Sequence, residues 1–193
     1  MANINTVPQQ PYVLADHIVL DMINTVAKVN GDIIDYWQSA KDVINWLDKV
    51  ANINVPVDRK FTDEDLLHSA KELRESVHLL IQAKKAGELL RIDLLNNFLL
   101  ESLSWLSLEV NKSGELGFKK NYKKDTPKQI LGPLAEAAVE LLVTMDFGLV
   151  KRCEHEDCIL WFYDKTKAHK RRWCSMAVCG NRHKVANFRK KQQ

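Results

Sequence analysis

The stretch RCEHEDCILWFYDKTKAHKRRWCSMAVCGNRHK, residues 152–184, contains all four cysteines of this 193-residue chain. They form two pairs, Cys153-x4-Cys158 and Cys174-x4-Cys179, with fifteen residues between the pairs. Two close pairs of thiolates joined by a short spacer are typical of a tetrahedral zinc site, in which four sulfur ligands leave no position for water. The sequence therefore predicts one zinc ion (Zn²⁺) per chain, bound by these four cysteines.

Other uses of these cysteines are weaker alternatives. Two disulfides are disfavoured because the rest of the chain has no cysteine, unlike a secreted disulfide-rich scaffold. Reduced thiols without a metal are a second alternative, and His155, His169 or His183 is a candidate to replace one ligand. A segment this small has little apolar core, so we expect zinc binding to supply much of its folding free energy.

The residues around the cysteines predict a hairpin followed by a helix. The aromatic run at 159–163 is typical of a strand, 164–170 is a polar turn, and 171–173 returns as the second strand. After Cys179 the sequence favours a helix in which Val185 and Phe188 face inward.

The residues before the cysteines predict a helical domain with one further hairpin. Ser39 and Thr62 are candidate helix N-caps, and Thr62 is followed by three acidic residues that suit the positive end of a helix dipole. Apolar periodicity predicts helices over 18–29, from Ser39, from Thr62, over 89–102 and over 130–150, with strands at 105–110 and 116–122. The predicted fold is mainly α, of the α+β class, with a helical domain at 1–150 and a zinc-binding domain at 151–193.

Charge is distributed unevenly between these two regions. The net charge is +3, but residues 151–193 contain 12 Lys or Arg against 4 Asp or Glu, and the preceding residues contain 16 against 21. A basic segment on an acidic domain predicts that the segment meets a polyanion.

The cysteine segment resembles the CGNR zinc finger, named for the run that here is Cys179 to Arg182. Both cysteine pairs, the Trp-Phe-x-Asp run at 161–164 and the Arg-Arg-Trp-Cys run at 171–174 carry the resemblance. The preceding region resembles the ABATE domain in LDMINT at 20–25, LRE at 73–75 and LGPLAEAAVELL at 131–142. The resemblance implies a treble-clef finger and a stress-related bacterial transcription regulator. Because the Lys and Arg residues of the finger can neutralise phosphates, we expect it to bind DNA.

Basic residues of the finger are the candidate DNA contacts. Arg182 is a candidate for a bidentate contact to a phosphate or a guanine, although Arg182 and Asn181 alternatively only hold the finger together. Of the adjacent Arg171 and Arg172, we expect only one to be needed for docking within the protein. The full set of candidates is Arg171, Arg172, Arg182, Lys184, Arg189 and Lys190.

Three alternative functions belong to other classes. A finger of this kind also serves as a protein-interaction adaptor for an acidic partner. RNA binding would use Trp161, Phe162 and Tyr163 to stack bases, although aromatic residues in so small a domain usually form its core. A nuclease would need a base such as His169 and an open metal position. Because zinc closed by four thiolates cannot activate water, the sequence favours a protein that is not an enzyme.

The helical domain contains a candidate ligand-binding site of three polar residues. Asp21 and Asn24 are three positions apart in an apolar stretch, and Arg74 lies in another amphipathic helix. An acid, an amide and a guanidinium suit a small-molecule effector in a pocket. The alternative is a structural pair of Asp21 and Arg74, with Asn24 bound to backbone groups.

Localisation is expected to be cytoplasmic. No apolar run approaches the roughly 20 residues that cross a bilayer, and the first residues lack the pattern of a secretory signal. The sequence leaves open a homo-oligomer, the effector and the DNA sequence that is bound.

Overall fold

The computed structural model describes residues 8–190, which form two compact units. One unit combines the chain up to Gln38 with the chain from Leu141 onward, and we call it the finger unit because it contains the cysteines. The other, the helical unit, is Ser39–Glu140. The sequence predicts a domain boundary at residue 150. The two compact units group the residues differently, so that boundary stays a prediction.

Helices and short two-stranded sheets alternate along the described residues. The structure is mixed α+β, as the sequence predicts. In chain order the elements are α1 (Ile18–Ile23), β1 (Val26–Val29), β2 (Asp32–Asp35), α2 (Ala40–Lys49), α3 (Asp63–Ala86), α4 (Asp93–Glu101), β3 (Ser104–Val110), β4 (Leu116–Tyr122), α5 (Pro127–Val143), β5 (Val150–Arg152), β6 (Trp161–Tyr163) and α6 (Asn181–Lys190).

The helices of the helical unit begin where the capping residues predict. Ser39 caps α2 and Thr62 caps α3, each accepting a hydrogen bond from the N3 backbone while an aspartate side chain reaches back to the cap. Gly87 ends α3 in the left-handed conformation, at a φ of 71°. Glycine adopts this conformation without steric strain because it has no Cβ. Helix α3 packs against α2 and α4, and its buried stripe includes Leu66, Leu73 and Leu80.

The predicted hairpin of this unit is confirmed. Strands β3 and β4 pair antiparallel from Ser104 opposite Tyr122 to Val110 opposite Leu116. The turn is fixed by Asn111, whose side-chain oxygen accepts hydrogen bonds from the backbone N–H groups of Ser113 and Glu115. This side-chain turn gives the tip of the hairpin a defined shape.

Two of the predicted helices are too long. The stretch 18–29 is not one helix, because α1 ends at Ile23 and a hairpin of β1 and β2 follows. Asn30 and Gly31 have φ values of 53° and 96°, so the Asn-Gly pair makes a tight turn between strands instead of ending a helix. The helix expected to reach residue 150 ends at Val143. Among residues 8–190, no helix is both long and apolar enough to cross a membrane.

Candidate metal centre and nucleic-acid interface

The four cysteines meet at one buried cluster in the finger unit. Cys153 follows β5, Cys158 closes a turn by donating its backbone N–H to His155, and Cys179 lies in the one-turn π-helix Met176–Gly180. Cys174 lies two residues before that turn. All four thiols are buried, and their sulfur atoms lie within 4.8 Å of one another.

The spacing of the sulfurs fits a tetrahedral zinc ion. A zinc–sulfur bond of about 2.3 Å places the sulfurs of a tetrahedron about 3.8 Å apart. The Sγ atoms of Cys158 and Cys174 are 3.8 Å apart, and those of Cys174 and Cys179 are 3.5 Å apart. The Cys174 backbone N–H also donates to the Cys153 sulfur at 3.4 Å, a contact that stabilises a thiolate. The four cysteines are therefore the residues that would hold one zinc ion, which closes the finger structurally.

Proximity of the thiols explains why a cation is needed. Hydrogen bonding among the thiols shifts their pKa values in opposite directions: it lowers the pKa of Cys153 and raises the pKa of Cys174 and of Cys179. Four thiolates in so small a volume repel one another, and a divalent cation removes that repulsion.

The strand pairing around the cluster differs from the expected one. Strand β6 exists, but its partner is β5, with Val150 opposite Tyr163 and Arg152 opposite Trp161. The loop of this hairpin is the turn that holds Cys153 and Cys158. Residues 171–173 form no strand; their one backbone–backbone hydrogen bond to the described β5–β6 hairpin is the Arg172 carbonyl accepting the Glu154 N–H at 3.0 Å. Strand β5 was not predicted, because the preceding helix was expected to reach residue 150 and residues 171–173 were expected to be the partner of β6.

A buried aspartate organises the loop after β6. The Asp164 carboxylate is fully buried and accepts hydrogen bonds from the Lys151 ammonium at 2.7 Å, the Thr166 hydroxyl at 2.6 Å and the Arg171 N–H at 2.9 Å. Burial by itself would raise the pKa of Asp164, but these hydrogen bonds outweigh it and hold that pKa well below its usual range. The loop at 165–170 is thereby fixed at both ends.

The N-terminal segment is part of the finger unit. Asn24 pairs with the backbone of Trp161 twice, donating to its carbonyl at 2.8 Å and accepting from its N–H at 2.9 Å. The Tyr163 N–H donates to the Ala15 carbonyl at 2.7 Å. The residues at 15 and 24 therefore cover strand β6 from the far end of the chain, a contact for which the sequence contains no local signal.

The candidate ligand-binding residues have defined surroundings. The Asp21 carboxylate accepts the backbone N–H groups of Leu14 and Ala15, both at 2.9 Å. Burial raises the pKa of Asp21, and these two hydrogen bonds partly offset the effect. Asp21 and Asn24 lie in the finger unit and are bound to its backbone, whereas Arg74 is buried in α3 of the helical unit. Their role toward an effector stays a prediction.

Arg171 is engaged within the finger unit. Its guanidinium donates to the Trp173, Leu14 and Cys174 carbonyls and to the Asp16 carboxylate, at 2.5 Å for Asp16. Four of its five N–H groups are thus used. It also lies over the Phe162 ring at 4.2 Å. Arg171 is therefore a residue that ties the N-terminal segment to the finger.

Arg172 is different from its neighbour. Its side chain is 58% exposed, lies over the Trp173 ring at 4.9 Å and contacts the exposed Glu154 carboxylate at 2.5 Å. An ion pair between exposed groups contributes little to stability and is readily exchanged for another anion. Arg171 thus makes most of the contacts within the protein, whereas Arg172 is left largely exposed; the roles of both toward DNA stay predictions.

Helix α6 presents its apolar residues to solvent, contrary to expectation. Val185 and Phe188 are 48% and 62% exposed, so the inward-facing stripe predicted for this helix is wrong. Lys184 is exposed, and Arg182 is half-buried. Asn181 donates to the Ala177 carbonyl at 3.3 Å. The side chains of Arg189 and Lys190 lie outside the part of the chain that the structure describes.

The histidines and aromatic residues of the finger have structural contacts. His155 accepts the Asp157 N–H at 3.1 Å through Nδ1, and His183 packs on Trp173 with ring centroids 4.7 Å apart. Nδ1 of His169 lies 3.2 Å from the Asp164 carbonyl. The three aromatic residues considered for base stacking are buried and form the core of the finger, as the sequence analysis expected: Trp161, Phe162 and Tyr163.

The structure adds cations that the sequence analysis left out. Lys165, Lys167 and Lys170 are exposed on the loop that Asp164 organises. The spacing Lys-x-Lys-x-x-Lys within a polar turn was the signal for them. Beside this loop lies a pocket of about 570 Å³, lined by Asp16, Thr166, Lys170, Arg171, Arg172, Trp173, Ser175 and Met176.

Comparison with known families accounts for nearly all of the described residues. The model of the CGNR zinc finger matches residues 150–192. The model of the ABATE family, described as "Putative stress-induced transcription regulator", matches residues 16–145, about two thirds of the chain. A search among curated proteins returned no match. These are families of regulators and of zinc fingers, and neither is a family of enzymes. The chain therefore belongs to the ABATE family, and its C-terminal segment is a CGNR zinc finger.

Proposed function

We propose that this protein regulates transcription by binding double-stranded DNA through its zinc finger. The observation that carries the proposal is the group of exposed cations on the finger, of which Lys170 and Arg172 border one pocket. Such cations neutralise phosphates and release counterions, which supplies most of the affinity of a protein for DNA. Zinc holds the finger that presents them.

The basic residues have different roles under this proposal. Arg171 positions the finger on the N-terminal segment and makes no contact with DNA. Lys170 and Arg172 contact phosphates, and Glu154 is displaced from Arg172 when a phosphate binds. Lys184 contributes a further phosphate contact from α6, beside Arg189 and Lys190, and Arg182 reads a base edge.

A protein-interaction adaptor is the alternative that the same surface supports. Both functions use the exposed cations, but they differ in their response to salt. Binding to the DNA backbone weakens steeply as salt rises, because each phosphate contact releases a counterion. Binding to a folded acidic partner depends less on salt, since apolar contacts supply part of its free energy. The buried aromatic residues give no support to RNA recognition by stacking.

A pair of double variants tests which surface binds DNA. The variant Lys170→Ala/Arg172→Ala removes two cations from the pocket rim, whereas Lys112→Ala/Lys119→Ala removes two exposed lysines from the β3–β4 hairpin. Binding of zinc-loaded protein to a DNA duplex is measured by fluorescence anisotropy at several salt concentrations. We expect the first variant to reduce the slope of log affinity against log salt by about two, at about 0.9 per contact.

The hairpin variant is the control for net charge, and we expect its slope to equal that of the wild type. Equal slopes for the two double variants would mean that overall charge governs binding, and the assignment to the finger would then be rejected. The Arg171→Ala variant should lower the thermal stability of the finger.

Sensing of a small-molecule effector is the finer part of this proposal. The backbone contacts of Asp21 and Asn24 favour a structural role for these two residues, so Arg74 is the residue to test. A metabolite that stabilises the wild type at about 100 times its dissociation constant should add about 2.7 kcal/mol. Loss of that gain in a folded Arg74→Ala variant would support the effector role.

A further inference from the structure

The β3–β4 hairpin has one apolar face that no described residue covers. Because side chains alternate along a strand, the odd and even positions of this hairpin lie on opposite faces. Five large apolar residues share one face and are each at least 66% exposed: Leu106, Leu108, Val110, Leu116 and Phe118. The opposite face is mostly polar, with Asn121 donating to Ser107 at 2.8 Å. Amphipathic strands of this pattern normally bury their apolar face against a second layer.

The hairpin is anchored to α5 at its base, and its turn is fixed by hydrogen bonds within the tip. At the base, the Tyr122 hydroxyl and the Lys120 ammonium both contact the Glu136 carboxylate of α5, each at 2.6 Å. At the tip, Asn111 fixes the turn. A two-stranded hairpin is only marginally stable when its apolar face is in water. The anchored base and the fixed turn therefore present a preformed apolar surface.

We propose that this face is the contact between two copies of the chain. The face carries no carboxylate, and its one cation, Lys120, is already paired with Glu136, so two identical faces can meet around a twofold axis without burying an unpaired charge. An acidic or basic partner would find no complementary charge there. Two hairpins packed face to face form two layers of two strands, in which each apolar face covers the other.

The area of the face suits a small interface. Burial of an aliphatic or aromatic side chain removes roughly 100 Å² of apolar surface, so five side chains that are about three-quarters exposed offer about 350–400 Å². This lies within the range of apolar patches that mark functional surfaces on single chains. It is about half of the roughly 800 Å² that each partner contributes to a standard interface. The dimer is therefore expected to be concentration-dependent, and it does not depend on DNA binding by the finger.

The mass of the full-length protein in solution tests this inference. Sedimentation equilibrium of the zinc-loaded chain, loaded up to about 100 µM to cover weak interfaces, should give a dimer of twice the 22.2 kDa mass of one chain. The matched variants are Leu108→Asp and Ser107→Asp, which place the same charge at adjacent positions on opposite faces. We expect Leu108→Asp to be monomeric and Ser107→Asp to remain dimeric.

Each other outcome overturns the assignment. A wild type that is monomeric over the whole range removes the dimer, and a dimeric Leu108→Asp places the interface elsewhere. Loss of the dimer in a folded Ser107→Asp variant would mean that the two copies do not meet through the apolar face. If Leu108→Asp fails to fold, Leu116→Lys near the tip replaces it, because the Leu116 side chain is 76% exposed. Far-UV circular dichroism of every variant confirms its fold.

Discussion

At the residue scale, two polar side chains determine whether the finger keeps its shape. Asn24 replaces a missing strand neighbour of β6 by pairing with both backbone groups of Trp161. Asp164 holds the loop that carries the exposed lysines. Neither residue is a zinc ligand, yet both fix the segments that position the ligands and the cations.

Asn24→Ala should destabilise the finger unit by about 2–3 kcal/mol, because it removes two buried hydrogen bonds to the backbone of Trp161. Urea unfolding followed by tryptophan fluorescence measures the change. Asn96→Ala, at an exposed position of α4, is the control and should change stability by less than about 0.5 kcal/mol. Equal stabilities of the Asn24→Ala variant and the wild type would show that these two hydrogen bonds are dispensable.

Asp164→Asn should make the finger release zinc faster. The neutral amide pairs less well with the Lys151 ammonium, and its single oxygen cannot replace both carboxylate oxygens as acceptors for Thr166 and Arg171. The folded pKa of Asp164 is depressed, so its contribution is present above the ordinary carboxyl pKa near 3.9 and is lost only as pH falls below that value. At pH 7 the full effect is therefore expected.

Transfer of zinc to a coloured chelator measures the release rate. Asp157→Asn in the same finger is the control, since Asp157 forms an exposed ion pair with Lys28 and should contribute little. Indistinguishable rates for the two variants would contradict the role given to Asp164.

At the element scale, local signals in the sequence were sufficient for some elements and not for others. The caps Ser39 and Thr62 and the alternation in β3 and β4 predicted their elements correctly, since each depends on neighbouring residues. The pairing of β6 with β5 was missed because the two strands are short and the metal site closes the loop between them. The Asn-Gly turn at residue 30 carried a hairpin signal that helical periodicity overrode in the prediction.

The cysteine cluster is the part of the site that spacing alone predicted. Four sulfurs at the distances of a tetrahedron need only the right separations along the chain, which the sequence displays. The role of Arg171 was not predictable, because it depends on Leu14 and Asp16 far away in the sequence. The exposure of Phe188 likewise depends on whether anything packs against α6.

Removal of zinc should unfold the N-terminal segment together with the finger, because residues 14–24 are bound to β6 and to Arg171. Hydrogen exchange of the Cys174→Ser variant measures this, and peptides from 12–24 and 150–180 should lose protection. Peptides from α3 should keep theirs, since its buried contacts lie in the helical unit. Retained protection at 12–24 in zinc-free protein would contradict the coupling.

At the scale of the whole molecule, the chain combines a basic zinc finger with a helical unit whose charges nearly balance. The two units carry different tasks in the proposed function. We propose that the finger unit binds DNA and that the helical unit carries the hairpin by which two copies associate. Two fingers in one dimer would contact two sites on a duplex, which raises the affinity of the pair above that of one finger.

The salt dependence of DNA binding by the zinc-loaded, full-length protein tests the central claim most directly. If about four cations of the finger contact phosphates, log affinity should fall against log salt with a slope of about −3.6 per finger. The same protein stripped of zinc should lose this binding. Zinc-loaded protein that retains no DNA at low salt, or that binds with a slope near zero, would contradict the proposal that the finger binds DNA.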